Sequence, residues 1–236
     1  MSVRKHIPNT LTCCNLICGC IAVYFASLPE YEWALLFIIG GAVFDFFDGM
    51  SARLLGVSSP IGKELDSLAD VVTFGVAPSF MLFSFLQYTD CFPGFAAFVM
   101  AAFSALRLAK FNLDERQTTS FIGLPTPANA LFWGSLLQPE SPFWSLPVKE
   151  QGGLVVFGVL LLAAVSCYLL VSEIPMFALK FKQWGWKGNE IKYLFAGISL
   201  ILIVCFGLFA FCPIIALYVI VSCVQAYLSR RRQSLS

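Results

Sequence analysis

The sequence predicts an all-α, polytopic membrane bundle of about eight transmembrane helices. Three observations predict it: the apolar composition, the length of the apolar runs and the placement of the basic residues. Of 236 residues, 58% are hydrophobic and only 12% charged, and the mean hydropathy is +0.80. So little polar material cannot cover a soluble globule of this size. Apolar runs long enough to cross a bilayer, which takes about 20 helical residues, occur near 11–28, 32–55, 64–87, 93–113, 152–172, 192–210 and 213–229. An eighth run, 125–137, is short, and it decides whether both termini share a side.

The basic residues arbitrate. If 125–137 spans, the loops on the side of the N-terminus hold Arg4, Lys5, Arg53, Lys63, Arg107, Lys110, Arg116, Lys180, Lys182, Lys187, Lys192, Arg230, Arg231 and Arg232, and the other side holds only Lys149. Cytoplasmic loops carry the excess of Lys and Arg, and omitting the short span would send the last seven of these residues to the wrong face. The prediction is eight helices with both termini and the basic loops cytoplasmic. The opposite connections are short or acidic, with Glu30, Glu32, Asp90, Glu140 and Glu150, and a tight turn is expected at Cys212-Pro213. No linker or low-complexity tract interrupts the chain, so 1–236 reads as one domain, with a core of about 8–182 and a C-terminal helix pair of about 190–230. The polar connection from Asn112 to Gly123 is either a lid over an active face or a solvated connector.

Several functions are disfavoured by the same inspection. A net charge of +1 with no basic domain argues against nucleic acid as a partner. Of the nine cysteines, Cys13, Cys14, Cys18, Cys20, Cys167, Cys205, Cys212 and Cys223 fall in or beside apolar runs, where a thiol behaves as a small hydrophobe. His6, the sole histidine, stands beside Arg4 and Lys5 without a second imidazole for a zinc site, and fits a basic membrane-surface segment. No small-residue cleavage pattern follows, so the first helix is expected to stay attached.

The chemistry concentrates in four aspartates of the second and third helices. An intramembrane carboxylate costs roughly 2.5–3.5 kcal/mol on insertion scales, so Asp45, Asp48, Asp66 and Asp70 require an explanation. Asp45 and Asp48 stand at i and i+3, Asp66 and Asp70 at i and i+4, which puts each pair on one helix face. The connection around Gly56 to Pro60 is short, so the two helices are antiparallel neighbours whose carboxylate faces can meet near the cytoplasmic surface. Hard oxygen ligands without His or Cys suit Mg²⁺ or Mn²⁺, and two such ions would neutralise a cluster of up to four negative charges. The plainer alternative, helix-end acids paired with Arg53 and Lys63, leaves two bases against four acids. Gly49, Ala52 and Gly62 are small where the helices must either pack closely or admit a ligand against the backbone.

The pattern Asp45-x-x-Asp48-Gly49-x-x-Ala52-Arg53, eight residues, then Gly62-x-x-x-Asp66-x-x-x-Asp70 resembles the complete signature of the CDP-alcohol phosphotransferase family. The resemblance implies a homodimer, a six-helix core extended here by two C-terminal helices, and two divalent ions held by Asp45, Asp48, Asp66 and Asp70. It also implies a CDP group lying against Gly49, Ala52 and Gly62, with Arg53, Asn9 and Thr12 beside it, and Asp70 as general base. A carboxylate near a metal can take a proton from an attacking alcohol while cations stabilise the leaving phosphate. No GxxxxGK[ST] phosphate loop occurs, which argues against ATP or GTP as donor.

Three further stretches resemble the phosphatidylserine synthase branch of that family: Pro8-Asn9-x-x-Thr12-x-x-Asn15, Arg107-Leu108-Ala109-Lys110-Phe111-Asn112, and Phe121-x-Gly123-Leu124-Pro125-x-Pro127-Ala128. They imply CDP-diacylglycerol as donor, L-serine as acceptor and membrane lipids as surroundings. Arg107, whose guanidinium fork suits a carboxylate or a phosphate, is the leading acceptor ligand, with Lys110 and Lys180 as further candidates. Near a fourth, partial match, Leu170-Val171-Ser172-x-Ile174-Pro175, Lys180 can equally complement a helix dipole and anionic lipid heads. Glycerol phosphate or inositol phosphate as acceptor stays open, since Arg107, Lys110 and Arg116 could serve a second phosphate. A divalent-cation transporter is the remote alternative from another class; it would be expected to show inverted repeats and broken helices near the midplane.

Overall fold

A computed structural model of the chain describes residues 6–28, 30–57, 59–87, 94–113, 121–139, 141, 148–176, 185 and 189–233. Residues 114–120 of the polar connection, and Lys180, lie outside them. The described residues form a helical bundle: α1 (His6–Ala26), α2 (Tyr31–Leu55), α3 (Pro60–Asp70), α4 (Ala77–Gln87), α5 (Val99–Leu113), α6 (Thr126–Leu136), α7 (Val148–Val171), α8 (Glu190–Phe206) and α9 (Phe211–Gln233). Among the described residues, six stretches are long and apolar enough to cross a membrane: His6–Ala26, Tyr31–Leu55, Pro60–Gln87, Gly94–Leu113, Gly153–Val171 and Glu190–Ser229, the last containing α8 and most of α9. Exposed Tyr24, Phe46, Leu154, Leu200 and Val204 turn apolar surface outward, as an integral membrane protein requires. The eight described cysteines are all free thiols.

Two features reshape the predicted helices. The span expected over 64–87 begins earlier, at Pro60, and is not uniformly α-helical: a π-helical segment, Val71–Val76, joins α3 to α4 directly after Asp70. Such wide turns cluster at functional sites because they re-aim side chains within a continuous helix. The turn expected at Cys212-Pro213 lies earlier, at a short 3₁₀ segment, Gly207–Ala210, where Gly207 has φ +54°. Pro213 sits instead in the first turn of α9, where its missing N–H costs no hydrogen bond.

Local sequence explains the hairpin that carries the aspartates. α2 ends at Gly56, left-handed at φ 62°; the Gly56 N–H reaches the Arg53 carbonyl and the Val57 N–H reaches that of Ala52. This is a Schellman closure, and glycine adopts the left-handed conformation without a Cβ clash. α3 begins on Ser59, whose Oγ accepts from the Gly62 N–H at 2.9 Å, with Pro60 at the first helical position.

One hydrophobic core joins α1, α2, α4, α6 and α7 through Ala22, Ile38, Met81, Phe85, Trp133 and Val159. α6 has 11 residues, about 16 Å at 1.5 Å per residue, against a hydrocarbon layer of about 30 Å. It packs against α2, α4 and α9, inside the bundle. A second cluster, with Leu124, Met176, Phe195, Ala210, Ile214 and Tyr218, fastens the α8–α9 pair to the rest. Ser135 reinforces it: its hydroxyl donates to the Leu208 and Phe209 carbonyls and accepts from the Cys212 N–H at 3.0 Å. Beside this cluster, two-residue strands β1 (Phe121–Ile122) and β2 (Pro175–Met176) pair antiparallel, an element the apolar pattern does not signal. Gly123 turns out of β1 at φ 75°, and a Cβ there would lie 2.8 Å from the Leu170 carbonyl oxygen.

Candidate active site

The helices converge on the aspartates. One carboxylate oxygen each from Asp45, Asp48 and Asp66 lies within 4.8 Å of the others. At an effective dielectric near 20, each pair of full negative charges at that separation repels by about 3 kcal/mol, so the trio calls for a cation. Asp48 and Asp70 are buried, Asp45 and Asp66 partly so. Asp66 keeps one buried oxygen, Oδ1, with no hydrogen-bond partner among the described residues. An all-oxygen donor set with an unused buried oxygen fits Mg²⁺ or Mn²⁺ better than a soft metal. Asp70 stands outside the trio.

α1 positions two of the four acids. The Thr12 hydroxyl donates to Asp48 Oδ2, and Asn15 Nδ2 donates to Asp70 Oδ1 at 3.0 Å. Thr12 and Asn15 are one turn apart on the same face of α1. Behind them Thr73, in the π-helical segment, donates its hydroxyl to the Asn15 carbonyl at 3.0 Å. Gly19 and Gly41 allow that approach: a Cβ on Gly19 would lie 2.8 Å from Thr73 Cα, and one on Gly41 2.8 Å from Asn15 Oδ1.

A cavity of about 280 Å³ opens beside the trio, lined by Asn9, Thr12, Asp48, Gly49, Ala52 and Gly62 together with Pro8, Val57, Ser59, Lys63 and Asp66. Every small residue expected to face a nucleotide is therefore on one wall. The two possible uses of the glycines separate here. A Cβ at Gly49 would meet nothing within 4 Å and would project into free space, whereas at Gly62 it would lie 3.0 Å from both Asn9 Oδ1 and Ser59 Oγ. Gly49 leaves room; Gly62 lets α1 and α3 close.

The basic residues divide. Arg53 is exposed, is not among the lining residues, and its Nε donates to the Gly49 carbonyl at 3.0 Å. Lys63 lines the cavity and its Nζ donates to the Asn112 carbonyl at 2.8 Å, while Asn112 Nδ2 donates to Ser67 Oγ at 2.7 Å, tying the end of α5 to α3. Neither bond goes to a carboxylate, so the structure does not use these two bases as the aspartates' partners in the way the plainer alternative required. Arg107 is buried at 7% exposure, within electrostatic reach of Asp70 and Tyr218, and its Cζ lies 5.8 Å from the Phe111 ring centroid. Lys110 is exposed.

Sequence reasoning named Asn15 and Asn112 only as parts of motifs and assigned nothing to Ser67, Thr73, Thr126 or Asn129. The available signal was polarity itself: Asn15, Thr73, Thr126 and Asn129 are fully or almost fully buried in otherwise apolar helices, and buried polar groups in a membrane bundle mark sites.

Comparison with known proteins agrees with this geometry. The sequence profile described as CDP-alcohol phosphatidyltransferase matches residues 5–180. A Bacillus subtilis (strain 168) protein named CDP-diacylglycerol--serine O-phosphatidyltransferase is 45% identical over 124 residues, 52% of this chain and 70% of its own. Proteins of the same name from Helicobacter pylori (strain ATCC 700392 / 26695) and Methanocaldococcus jannaschii are 32% identical over 183 residues and 37% identical over 132 residues. The first alignment covers 76% of this chain and 75% of the relative, the second 55% and 60%. With three signature aspartates gathered beside a small-residue cavity and the profile matched over most of its length, the chain belongs to the CDP-alcohol phosphatidyltransferase family.

Proposed function

We propose that this protein transfers the phosphatidyl group of CDP-diacylglycerol to L-serine, giving phosphatidylserine and CMP. The observation that carries the proposal is the meeting of Asp45, Asp48 and Asp66 beside a cavity that Asp48 and Asp66 line together with Asn9, Gly49, Ala52 and Gly62. The relatives' names supply the acceptor.

In this scheme Asp45, Asp48, Asp66 and Asp70 hold two divalent cations, Mg²⁺ or Mn²⁺, which when bound neutralise the carboxylates and stabilise the charge gathering on the leaving phosphate. Gly49 admits the nucleotide against the α2 backbone, and Asn9, Thr12, Ala52 and Gly62 complete that wall. Arg53 enters only through the Gly49 carbonyl it bonds, shaping the wall from outside. Asn15 orients the Asp70 carboxylate, which accepts the proton of the serine hydroxyl. The freed oxygen attacks the phosphorus bearing diacylglycerol; one P–O ester bond forms as the P–O bond to the CMP phosphate breaks, and CMP departs with that electron pair. Arg107, buried near Asp70, takes the acceptor's carboxylate, with Lys110 and Lys180 as outlying candidates.

The basic-residue census supports a cytoplasmic site and cytoplasmic termini, and family membership supports a homodimer. A single domain is supported by the apolar cluster that joins α8–α9 to Leu124 and Met176. The test is CMP release by purified protein from CDP-diacylglycerol with Mg²⁺ or Mn²⁺ and a panel of L-serine, glycerol 3-phosphate and inositol phosphate. Serine-dependent, metal-dependent release is expected; release with glycerol 3-phosphate but not serine would refute the acceptor, and no release with any alcohol would refute the transferase.

A further inference from the structure

The first turn of α6 holds polar atoms with no hydrogen-bond partner among the described residues. Asn129 is fully buried, and both its Oδ1 and its Nδ2 lack partners among the described residues; so does the hydroxyl of Thr126, 1% exposed and one turn away on the same helix face. The rest of the helix and the turn that follows it do not behave this way. Trp133 Nε1 donates to Ser166 Oγ at 3.0 Å, Ser135 bonds the 3₁₀ segment, and Gln138 Nε2 donates to the Tyr31 carbonyl at 3.0 Å. Unsatisfied groups in a buried setting require a reason, of which an absent ligand is one. α6 packs on the π-helical segment that follows Asp70 and on α5, which carries Arg107. Arg107 Nε is itself buried and unpartnered among the described residues. The unsatisfied atoms therefore lie on two helices that pack on each other and on the segment that follows Asp70, and Arg107 is within electrostatic reach of Asp70 itself.

Their chemistry is mixed: the buried guanidinium and the Asn129 amide N–H supply donors, and the Asn129 and Thr126 oxygens can accept. A phosphate dianion would call for a second buried cation; a zwitterion, with a carboxylate beside an ammonium, calls for this combination. We propose that Arg107, Thr126 and Asn129 form the acceptor subsite for a β-hydroxy-α-amino acid, Arg107 taking the carboxylate and the oxygens of Thr126 and Asn129 taking the ammonium. Tyr218 of α9 closes the subsite. Its ring packs with Phe195 at 6.3 Å in the cluster that includes Leu124, just before α6, and its phenol is within electrostatic reach of Arg107. α9 lies beyond the family match, which ends at residue 180, so this wall is a feature of the chain's C-terminal extension.

The subsite rests on the serine transfer proposed above and deepens it. The test is steady-state CMP release by the purified full chain with L-serine and CDP-diacylglycerol titrated separately, and with ethanolamine and 3-hydroxypropanoate as competitors of serine; each lacks one of the two charged groups. In the native protein both should compete at least about tenfold more weakly than serine binds. Asn129→Leu should raise the serine KM about tenfold or more, leave the CDP-diacylglycerol KM within about twofold, and erase the disadvantage of 3-hydroxypropanoate, which has no ammonium to lose. Thr126→Val, of matching shape, should do the same more weakly and carries the test if Asn129→Leu does not fold. Tyr218→Phe should raise the serine KM alone. Unchanged serine KM in these variants, or parallel losses for serine and donor, would overturn the subsite while leaving serine transfer standing. A native protein that does not use serine would overturn the transfer itself.

Discussion

Gly19→Ala is the most informative single change in the protein, because it acts on Asp70 through packing alone. Gly19 lies on α1, away from the cavity, yet a Cβ there would sit 2.8 Å from Thr73 Cα and 2.9 Å from Thr73 N. These are backbone atoms and cannot swing aside as a side-chain tip can. Ordinary contact begins near 3.4 Å, so α1 and the π-helical segment must separate by on the order of 0.5 Å, with strain of about 1–3 kcal/mol. The segment being pushed starts one residue after Asp70, and the same movement stretches the bond from the Thr73 hydroxyl to the Asn15 carbonyl. Misplacement by about 1 Å can cost around 100-fold in rate; half that shift predicts a fall of about tenfold in kcat. The CDP-diacylglycerol KM should hold within a few-fold, because the cavity wall at Gly49 and Ala52 is not moved. The measurement is CMP release alongside thermal unfolding in detergent, with Gly158→Ala as control, since a Cβ at Gly158 meets nothing within 4 Å. Native kcat and native thermal stability in Gly19→Ala would show that α1 and the segment after Asp70 are not held as described.

Asp45→Asn, Asp48→Asn and Asp66→Asn should each lower activity and raise the Mg²⁺ concentration needed for half-maximal rate, read by metal titration; near-normal turnover at ordinary Mg²⁺ in any of them would count against metal binding there. Asp70→Asn should spare CDP-lipid binding more than turnover, and equal loss of both would make it chiefly a ligand. Asn15→Ala removes a hydrogen bond to a buried carboxylate, worth about 1.5–3 kcal/mol, so kcat should fall roughly 10- to 100-fold with little change in donor KM; a loss confined to donor KM would detach Asn15 from Asp70. Cysteine labelling should reach 114–119 and 183–189 from the cytoplasmic side and 140–150 only from outside, and cytoplasmic labelling of 140–150 would show that residues 125–137 do not cross.

Much of the site is legible in the chain because helical periodicity is local. Asp45 with Asp48, and Asp66 with Asp70, share faces by spacing alone, and the Gly56 to Pro60 turn brings the two faces together through cap chemistry written in Gly56, Ser59 and Pro60. What spacing could not distinguish was the use of each small residue. Gly49 and Gly62 belong to the same motif, but whether a glycine faces free space or another helix depends on what stands opposite, and Asn9 is more than fifty residues from Gly62 in sequence.

By itself the sequence determined a membrane-embedded helical protein, since 58% hydrophobic residues in long runs leave no other solvent for them, and it placed four carboxylates on two facing helices, since the rise and twist of a helix follow from the backbone. Only the tertiary structure decided which three acids gather, that α1 supplies Thr12 to Asp48 and Asn15 to Asp70 across 36 and 55 residues, and that a π-helical turn follows Asp70. It alone brought α9 to Arg107 and left Asn129 buried without a partner among the described residues. These are contacts between helices, set by which ridges and small residues let two backbones approach, and no period within one helix encodes its neighbour.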